Sequence, residues 1–313
     1  MRMFVAGASG ALGAALIPIL VERGHEVHGM TRTSAGRARV EAIGARATVA
    51  DALDPDQVAD AVARAEPEVI VHELTALSGG LDLRHFDRDF AATNRLRTEG
   101  TDNLLAAARA VGVRRFVAQS YAGWPFARTG AAVKVEDAPL DPHPAKSMRV
   151  SHDAIRHLEQ AVVSAGWTDG VVLRYGGLYG PGTSLQRDGE HVEVIRRGRF
   201  PIVGSGAGMW SFVHVADAAA ATVAAAEHGA RGIYHVVDDE PAPVAEWLPA
   251  IAAAIGAPRP RRVPRWVGRL LAGEGVTILM TEARGASNAK ARRELGWEPA
   301  HPSWRAGIPA AVA

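Results

Sequence analysis

The glycine spacing near the start of the chain restricts its fold more than any other feature. Residues 3–6 form a short apolar run that is long enough for one buried strand. Gly7, Gly10 and Gly13 follow at three-residue spacing, and residues 14–20 continue with helical periodicity. This layout directs helix N–H groups toward a pyrophosphate, because glycine leaves room for phosphate oxygens close to the backbone. The stretch therefore predicts the first βα unit of a dinucleotide-binding fold.

Predicted strands and helices alternate behind this unit. Apolar runs predict further strands at 26–30, 45–50, 68–71, 116–119, 171–173, 212–215 and 233–237. Helical patterns are found at 93–111, 153–165, 217–227, 245–255 and 263–271. Because the spacing suits right-handed βαβ crossovers, we predict an α/β fold whose first half is a doubly wound parallel sheet of the Rossmann type.

The composition excludes several classes of function. Of the 313 residues 48% are hydrophobic and 22% are charged, and the net charge of +1 indicates neither nucleic acid nor an anionic membrane as partner. The absence of cysteine excludes disulfides, thiolate metal ligands and cysteine nucleophiles. The spacing of histidines and acids shows no metal-site pattern. Glycines and Pro18 interrupt the apolar start, and no apolar run of about 18 residues follows, so we predict a cytoplasmic protein.

The end of the second predicted strand bears on the choice of cofactor. In a dinucleotide fold, an acid at this position accepts hydrogen bonds from the adenine ribose. Arg32 stands there instead; it is either a solvated surface arginine or a ligand that binds a 2′-phosphate through two hydrogen bonds. We predict NADP as the cofactor, with NAD as the alternative. Asp51, after the third strand, either accepts from the adenine amine or caps the next helix.

Several short motifs extend over almost the whole chain. They are GASGALG at 7–13, PEVIVH at 67–72, GTDNLL at 100–105, RFVAQS at 115–120, EDAPLDP at 136–142, LRYGGLYGPG at 173–182, SFVHVADAA at 211–219, GIYHVVDDEP at 232–241 and RRELGW at 292–297. In this order they resemble the extended short-chain dehydrogenase/reductase family, the NAD-dependent epimerase/dehydratase group. The resemblance implies a Rossmann domain over 1–178, to which 209–240 returns, and a smaller substrate domain from 179–208 and 241–313.

The resemblance also implies which residues contact the dinucleotide. They are Gly7, Ser9, Gly10, Leu12, Gly13, Arg32, Asp51, Leu74 and Tyr175. It further implies a homodimer in which the helices at 93–111 and 153–165 pair across a two-fold axis. The second helix carries apolar residues at roughly helical spacing, namely Ile155, Leu158, Val162 and Val163.

The chain departs from the family in its catalytic residues. The family uses a Ser or Thr after strand five and a Tyr-x-x-x-Lys, in which Tyr delivers a proton and Lys lowers the pKa of Tyr. Alignment on 158–160 places Ser151 at the Tyr position and Ile155 at the Lys position. The triplet Ser151, His152 and Asp153 is not a catalytic relay, because successive helical residues point in different directions. Ser151 or Asp153 is expected to cap the helix instead.

Tyr121 is the candidate replacement for the proton donor. It stands where the family commonly keeps its Ser or Thr, at the carboxyl end of a parallel strand, although an aromatic packing residue is equally compatible. Ser120 is the candidate helper that binds a substrate carbonyl. Lys146 is the candidate displaced lysine. Ser151 is retained as a further candidate, although a serine without a neighbouring lysine is a poor acid.

Two further departures concern the substrate. Gly177 stands where nucleotide-sugar enzymes of the family usually place Asn, and Trp210 stands where they usually place Arg. Both family residues serve the nucleotide diphosphate, so their absence favours a less charged substrate. The candidate substrate contacts are Trp124, Gly177, Tyr179 and Trp210. Aromatic side chains among them either line an apolar pocket or simply pack in the core.

Three hypotheses of function follow from these residues. The first is an NAD(P)-dependent oxidoreductase of the extended short-chain type, which acts on a carbonyl or alcohol of a small, largely apolar metabolite with a non-standard proton donor. The second is a nucleotide-sugar epimerase or dehydratase with a rearranged site. The third is a non-catalytic NADP-binding sensor or scaffold, which the missing Tyr-x-x-x-Lys favours.

Overall fold

Helices and strands alternate through the computed structural model, which describes residues 1–77 and 85–313. The first part contains β1 (Arg2–Ala6), α1 (Ala11–Glu22), β2 (Glu26–Thr31), α2 (Ser34–Ala42), β3 (Arg46–Val49), α3 (Pro55–Ala65), β4 (Val69–His72), α4 (Phe86–Asp89), α5 (Ala91–Arg95), a π turn (Leu96–Gly100), α6 (Thr101–Val111), β5 (Arg115–Tyr121), β6 (Val133–Lys134), a 3₁₀ turn (Lys146–Met148), α7 (Arg149–Ser164) and β7 (Asp169–Tyr175). The remainder contains β8 (Gly177–Tyr179), α8 (Glu190–Arg196), β9 (Ile202–Val203), β10 (Met209–Trp210), β11 (Phe212–His214), α9 (Val215–His228), β12 (Gly232–Val236), β13 (Ala242–Pro243), α10 (Val244–Ala254), β14 (Arg262–Val263), α11 (Arg265–Thr281), β15 (Gly285–Ala286), α12 (Ala289–Leu295) and α13 (Trp304–Val312).

A central sheet of seven strands is parallel throughout. Its strands stand in the order β12-β7-β5-β4-β1-β2-β3. The chain builds β1, β2 and β3 in one direction and then returns to β4 on the other side of β1. The order therefore reverses between β1 and β4, and open parallel sheets bind ligands in the crevice at such a reversal.

The side chains of β1 enter two apolar layers, one on each face of the sheet. Met3 and Val5 pack with Leu16 of α1 and with the alanine-rich helix α9. Phe4 and Ala6 pack on the opposite face with residues of α3, α6 and α7. Because successive strand residues point to opposite faces, this alternation requires helices on both sides of the sheet. The predicted doubly wound α/β fold is confirmed.

A second apolar core lies in the C-terminal half of the chain. Helices α8, α10 and α13 supply most of it, including Val192, Ile195, Trp247, Leu248, Ile251, Trp304 and Ile308. Helix α9 and strand β12 instead pack into the first core, against the sheet. The residue limits expected for two domains stay a prediction.

Several elements differ from those expected. The predicted helix at 93–111 is divided into α5, the π turn and α6. The predicted helix at 263–271 begins at Arg265 and continues to Thr281, with a kink at Gly273. Helix α1 begins three residues earlier than its apolar pattern, at Ala11. Within the two described ranges, no helix combines the length and the apolar character needed to cross a membrane.

Candidate active site

The glycine turn between β1 and α1 lies against the end of β4. Gly7 has φ +93°, and a Cβ there would lie 2.5 Å from the carbonyl oxygen of Glu73. A Cβ on Gly13 would lie 2.6 Å from the carbonyl oxygen of Ala8. Gly10 is the N-cap of α1 and offers no side-chain acceptor. The backbone N–H groups in the first turn of α1 therefore have no side-chain cap, and they lie beside a turn that only glycine can form. This arrangement fits the pyrophosphate of a dinucleotide.

Two other predicted cofactor residues support this turn. The hydroxyl of Ser9 lies 2.9 Å from that of Thr31, which ties the turn to the end of β2. Leu12 is buried on the first turn of α1. Asp51 is exposed, and its carboxylate accepts a hydrogen bond from the backbone of Leu53 at 3.0 Å. Asp54 rather than Asp51 caps α3, as the following proline favours.

Arg32 extends from the carboxyl end of β2. Its side chain is exposed, and no residue in the described part of the chain forms a hydrogen bond or an ion pair with it. The neighbouring Thr33 caps α2 by accepting a hydrogen bond from the backbone of Gly36 at 3.0 Å. A free guanidinium thus stands next to the N-terminal end of α2, where a phosphate group would meet both a charge and a helix dipole.

Beneath the turn, a buried acid joins β4, β7 and α9. Glu73 accepts a hydrogen bond from the Tyr175 hydroxyl at 3.2 Å, and that hydroxyl lies 2.7 Å from Thr222. Burial raises the pKa of Glu73 to about 8, although the Tyr175 hydrogen bond opposes this. The side chain of Tyr175, expected to contact the cofactor, is fully buried in this network. Leu74 is also buried, and its backbone N–H donates to His72 at 3.3 Å.

Ser151, at the family's tyrosine position, is fully buried and has both hydrogen-bonding roles in use. Its hydroxyl donates to Asp87 at 2.7 Å and accepts from the Asn94 amide at 2.9 Å. Asp87 also accepts from the backbone N–H groups of Ser151 and Val150 at 2.9 and 3.0 Å. The expectation that Ser151 or Asp153 caps the helix is wrong, because α7 begins at 149 and Asp87 from α4 satisfies its first N–H groups.

Ser120 lies at the end of β5 and is also engaged. Its hydroxyl donates to Glu159 of α7 at 2.7 Å. Glu159 in turn accepts two hydrogen bonds from Arg174, at 2.7 and 2.6 Å, in a pair that is about 95% buried on both sides. This ion pair anchors β7 to α7. The Ser120 hydroxyl gives Glu159 a third hydrogen bond. Neither Glu159 nor Arg174 carries a local motif that would have identified the pair.

Tyr121 follows at the carboxyl end of β5 and is half-buried. Burial raises the pKa of its phenol to about 12, although the positive charge of Arg97 acts in the opposite direction. Among the residues described, none forms a hydrogen bond with its hydroxyl. Lys146 lies exposed in the 3₁₀ turn, and no hydrogen bond or ion pair joins it to this phenol in the same part of the chain. The phenol is therefore protonated at neutral pH, and its hydroxyl has no acceptor among these residues.

Aromatic side chains form a wall next to Tyr121. The rings of Tyr121 and Trp124 lie 6.4 Å apart, and Trp124 meets Phe86 edge-on at 5.1 Å. Trp210 packs into the same cluster, with its indole N–H donating to the carbonyl of Leu279 at 2.9 Å. Two of the four candidate substrate residues, Trp124 and Trp210, thus pack against one apolar cluster.

The other two candidate substrate residues are placed differently. Gly177 lies in β8, paired with Phe212 of β11. Tyr179 is fully buried in the second core, where it packs against His214, and a Cβ on Gly307 would collide with its hydroxyl. Its side chain supports the fold of that core.

A histidine and acid cluster that the sequence did not indicate lies at the C-terminal segment. His214, Asp217 and His301 offer ligand atoms within 4.8 Å of one another. Asp217 already accepts hydrogen bonds from the backbone of Ala300 and His301 and from the His301 ring, at 2.8 to 3.0 Å. His214 accepts from the backbone of Ala216 and caps α9. These contacts hold the C-terminal segment against α9.

Arg97 is a buried charge near these residues that the sequence did not single out. It lies on the π turn with only 7% of its surface exposed, and its Nη1 atom has no hydrogen-bond partner within the described ranges. Its charge acts on Tyr121, Glu159 and His72, which stand around the ends of β4 and β5. The sequence does not distinguish this arginine from a surface residue, because most of its neighbours are polar. Only its burial in the folded protein identifies it.

The fold and the glycine turn define a dinucleotide-dependent enzyme of the Rossmann type. The model of the NAD dependent epimerase/dehydratase family matches residues 3–237, and the chain belongs to this family. It is 48% identical over 315 residues to a 3-diazoavenalumate denitrifying reductase from a Streptomyces species, covering 98% of this chain and 99% of that one. It is 31% identical to a 2-alkyl-3-oxoalkanoate reductase from Stenotrophomonas maltophilia, over 83% of this chain and 77% of that one.

Solved structures show the same fold. A UDP-glucose 4-epimerase from Thermotoga maritima superimposes with a TM-score of 0.78 at 21% identity, covering 100% of this chain and 97% of that chain. The family resemblance expected from the motifs is confirmed. The chain is an NAD-dependent enzyme of the oxidoreductase or epimerase type within the extended short-chain group.

The buried carboxyl of Glu73 predicts a pH dependence of stability. Its pKa is about 8 in the folded protein against an ordinary 4.5, so the folded state keeps a proton that the unfolded chain releases. This group therefore stabilises least at high pH, and its contribution falls between about pH 4.5 and 8 by at most about 1.4 kcal/mol per pH unit. Glu73→Gln removes this loss, so the variant should gain stability over the parent as the pH rises.

Urea unfolding of both proteins at several pH values within this window measures the difference. Glu22→Gln, at an exposed carboxyl on α1, is the matched control and should follow the parent. Parallel stability curves for the parent and Glu73→Gln would show that Glu73 is ionised in the folded protein.

Proposed function

We propose that this enzyme is an NADPH-dependent reductase that replaces a diazo group of a small organic acid with hydrogen. One observation carries the proposal: the site lacks the family's acid, since Ser151 is locked between Asp87 and Asn94 and Ile155 replaces the lysine. The similarity to the Streptomyces 3-diazoavenalumate denitrifying reductase, over nearly the full length of both chains, supports it.

The two possible reductions differ in their need for a proton. Reduction of a ketone creates an alkoxide, which needs a proton or strong hydrogen-bond donors as it forms. A diazonium carbon instead gains hydride while its carbon–nitrogen bond breaks, and N₂ leaves with that electron pair. A reduced nicotinamide held by the glycine turn would supply the hydride. No oxygen gains charge in this exchange, so a site without a strong acid is sufficient.

The residues of this chain would orient the two reactants. The glycine turn and the N-terminus of α1 fit the pyrophosphate, and Arg32 is placed for a 2′-phosphate. The aromatic wall of Trp124 and Trp210 would exclude water from one side of the substrate. Tyr121, protonated at neutral pH, would donate a hydrogen bond without having to release its proton.

The second candidate function is reduction of a ketone, with Tyr121 as proton donor and Ser120 as helper. The similarity to the 2-alkyl-3-oxoalkanoate reductase favours it. The position of Tyr121 at the end of β5 suits this role, and its pKa of about 12 makes it a weak acid. Ser120 would have to give up its hydrogen bond to Glu159 in order to help.

A carboxylated ortho-quinone diazide distinguishes the two functions. We expect the enzyme to oxidise one equivalent of NADPH per N₂ released, and NADPH deuterated at the transferred position should place one deuterium on the former diazo carbon. Tyr121→Phe should keep kcat within about threefold, because no proton is delivered. If the enzyme instead reduces 3-oxo acids only, and Tyr121→Phe lowers that kcat about a hundredfold, the ketone reaction is correct.

Arg32 should make NADPH the preferred cofactor. A charged hydrogen-bonded contact is worth about 1.5–3 kcal/mol, or roughly ten- to a hundredfold in affinity. Arg32→Ala should weaken NADPH by that factor and leave NADH nearly unchanged, as measured by fluorescence titration. Arg64→Ala, an exposed arginine on α3, is the control and should change neither affinity. Equal affinities of the parent for both cofactors would contradict the assignment.

We further propose a homodimer built on α6 and α7. The apolar residues Ile155, Leu158 and Val162 do not supply its interface, because they are buried in the protein's own core. Leu105 and Val163 remain partly exposed on these helices and support the proposal. Light scattering at micromolar concentration should give twice the chain mass of 33.0 kDa. A monomeric mass would contradict the proposal.

A further inference from the structure

Arg97 lies next to two elements of the active-site crevice, α7 and the end of β5. The π turn that carries it packs against α7. Its charge acts on Glu159 of α7 and on Tyr121 at the end of β5. Because residues four apart lie on the same helix face, Glu159 and Ile155 face the same side of α7. The charge of Arg97 therefore acts on the face of α7 that carries isoleucine in place of the family's lysine.

The guanidinium is buried without the partners that other buried arginines have. Arg174 forms two hydrogen bonds with Glu159, and Arg115 donates to the carbonyl of Ala226 at 3.0 Å. For Arg97, by contrast, the described residues provide no ion pair, and its Nη1 atom has no acceptor. Burial lowers its pKa to about 10, so it is still charged at neutral pH. An unpaired buried charge destabilises a fold, so it calls for an explanation, and a ligand that completes its hydrogen bonds supplies one.

We propose that Arg97 binds an anionic oxygen of the substrate, either a carboxylate or a phenolate. The oxygen would accept a hydrogen bond from Nη1, and the Tyr121 hydroxyl, which has no hydrogen-bond partner among the described residues, would donate a second one. The apolar body of the substrate lies along the aromatic wall of Trp124 and Trp210. The substrate class is therefore an apolar or aromatic molecule with one oxyanion. This inference rests on the proposed function only in taking the crevice as the active site.

The names of the two reductases are consistent with this class. One acts on a diazoavenalumate and the other on an oxoalkanoate, and both names denote carboxylates. An oxyanion also suits the chemistry of a diazo substrate. A phenolate next to a diazonium carbon stays charged when hydride replaces N₂, and a fixed guanidinium would stabilise it before and after the reaction.

Binding measurements on the NADP⁺-loaded enzyme test this proposal without turnover. Cinnamate is compared with the neutral cinnamamide, and 4-nitrophenolate with 4-nitroanisole, at about pH 8. We expect one or both anions to bind about ten- to a hundredfold more tightly than their neutral counterparts. The pair that shows the preference identifies the oxyanion as carboxylate or phenolate. Failure of both anions to bind better than the neutral compounds would overturn the proposal.

Two substitutions of Arg97 assign the preference to this residue. Arg97→Met should abolish it, whereas Arg97→Lys should retain part of it because the charge is kept. The control is Arg95→Met, two residues away, where the arginine is exposed and paired with Glu99; it should keep the full preference. An unchanged preference in Arg97→Met would overturn the proposal.

Thermal unfolding separates a binding role from a structural one. If Arg97 serves a ligand, Arg97→Met should unfold at the same or a higher temperature than the parent, because a buried unpaired charge is removed. A lower Tm together with an unchanged anion preference would show that the arginine is structural. If quinone diazides are not reduced and the Arg97-dependent preference persists, the proposed reaction fails and the oxyanion site stands.

Discussion

The backbone of Gly7 lies against the carbonyl group of Glu73, and this contact determines how the crevice is built. The strand order reverses at this point, so the glycine turn and the end of β4 meet at the same edge of the sheet. The side chain of Glu73 accepts a hydrogen bond from the Tyr175 hydroxyl, which also lies within hydrogen-bonding distance of Thr222. One close approach of two backbones thus links the glycine turn to the buried polar network of Glu73, Tyr175 and Thr222.

The polar groups around α7 show how the site differs from that of its family. The position of the usual proton donor is part of a closed hydrogen-bond network between Ser151, Asp87 and Asn94, which stabilises the start of the helix. A positive charge stands nearby instead on the π turn that packs against α7, at Arg97. In the proposed reaction a fixed charge would thus act where the family uses an acid–base pair, which suits a substrate that is already anionic.

The parts of the fold with local signals could be predicted from the sequence. Apolar runs and glycines identify strands and turns because their cause is the conformational preference of a few neighbouring residues. The position of Tyr121 at the end of a strand is predicted for the same reason. The roles of Ser151 and Arg97 could not be predicted in this way. Ser151 is held by Asp87, 64 residues earlier in the chain. Arg97 lacks a partner for its Nη1 atom because of how distant elements pack around it, which no local pattern encodes.

The cluster around Asp217 has a consequence for the order of folding. Its carboxylate and carbonyl bind the backbone of Ala300 and His301 and the indole N–H of Trp297, more than 75 residues further along the chain. Closing a loop of this length costs conformational entropy, which these contacts must offset. The segment around residues 297–301 therefore has no docking surface until α9 is formed. Since α9 also packs against α1, one helix couples this segment to the first βα unit of the chain.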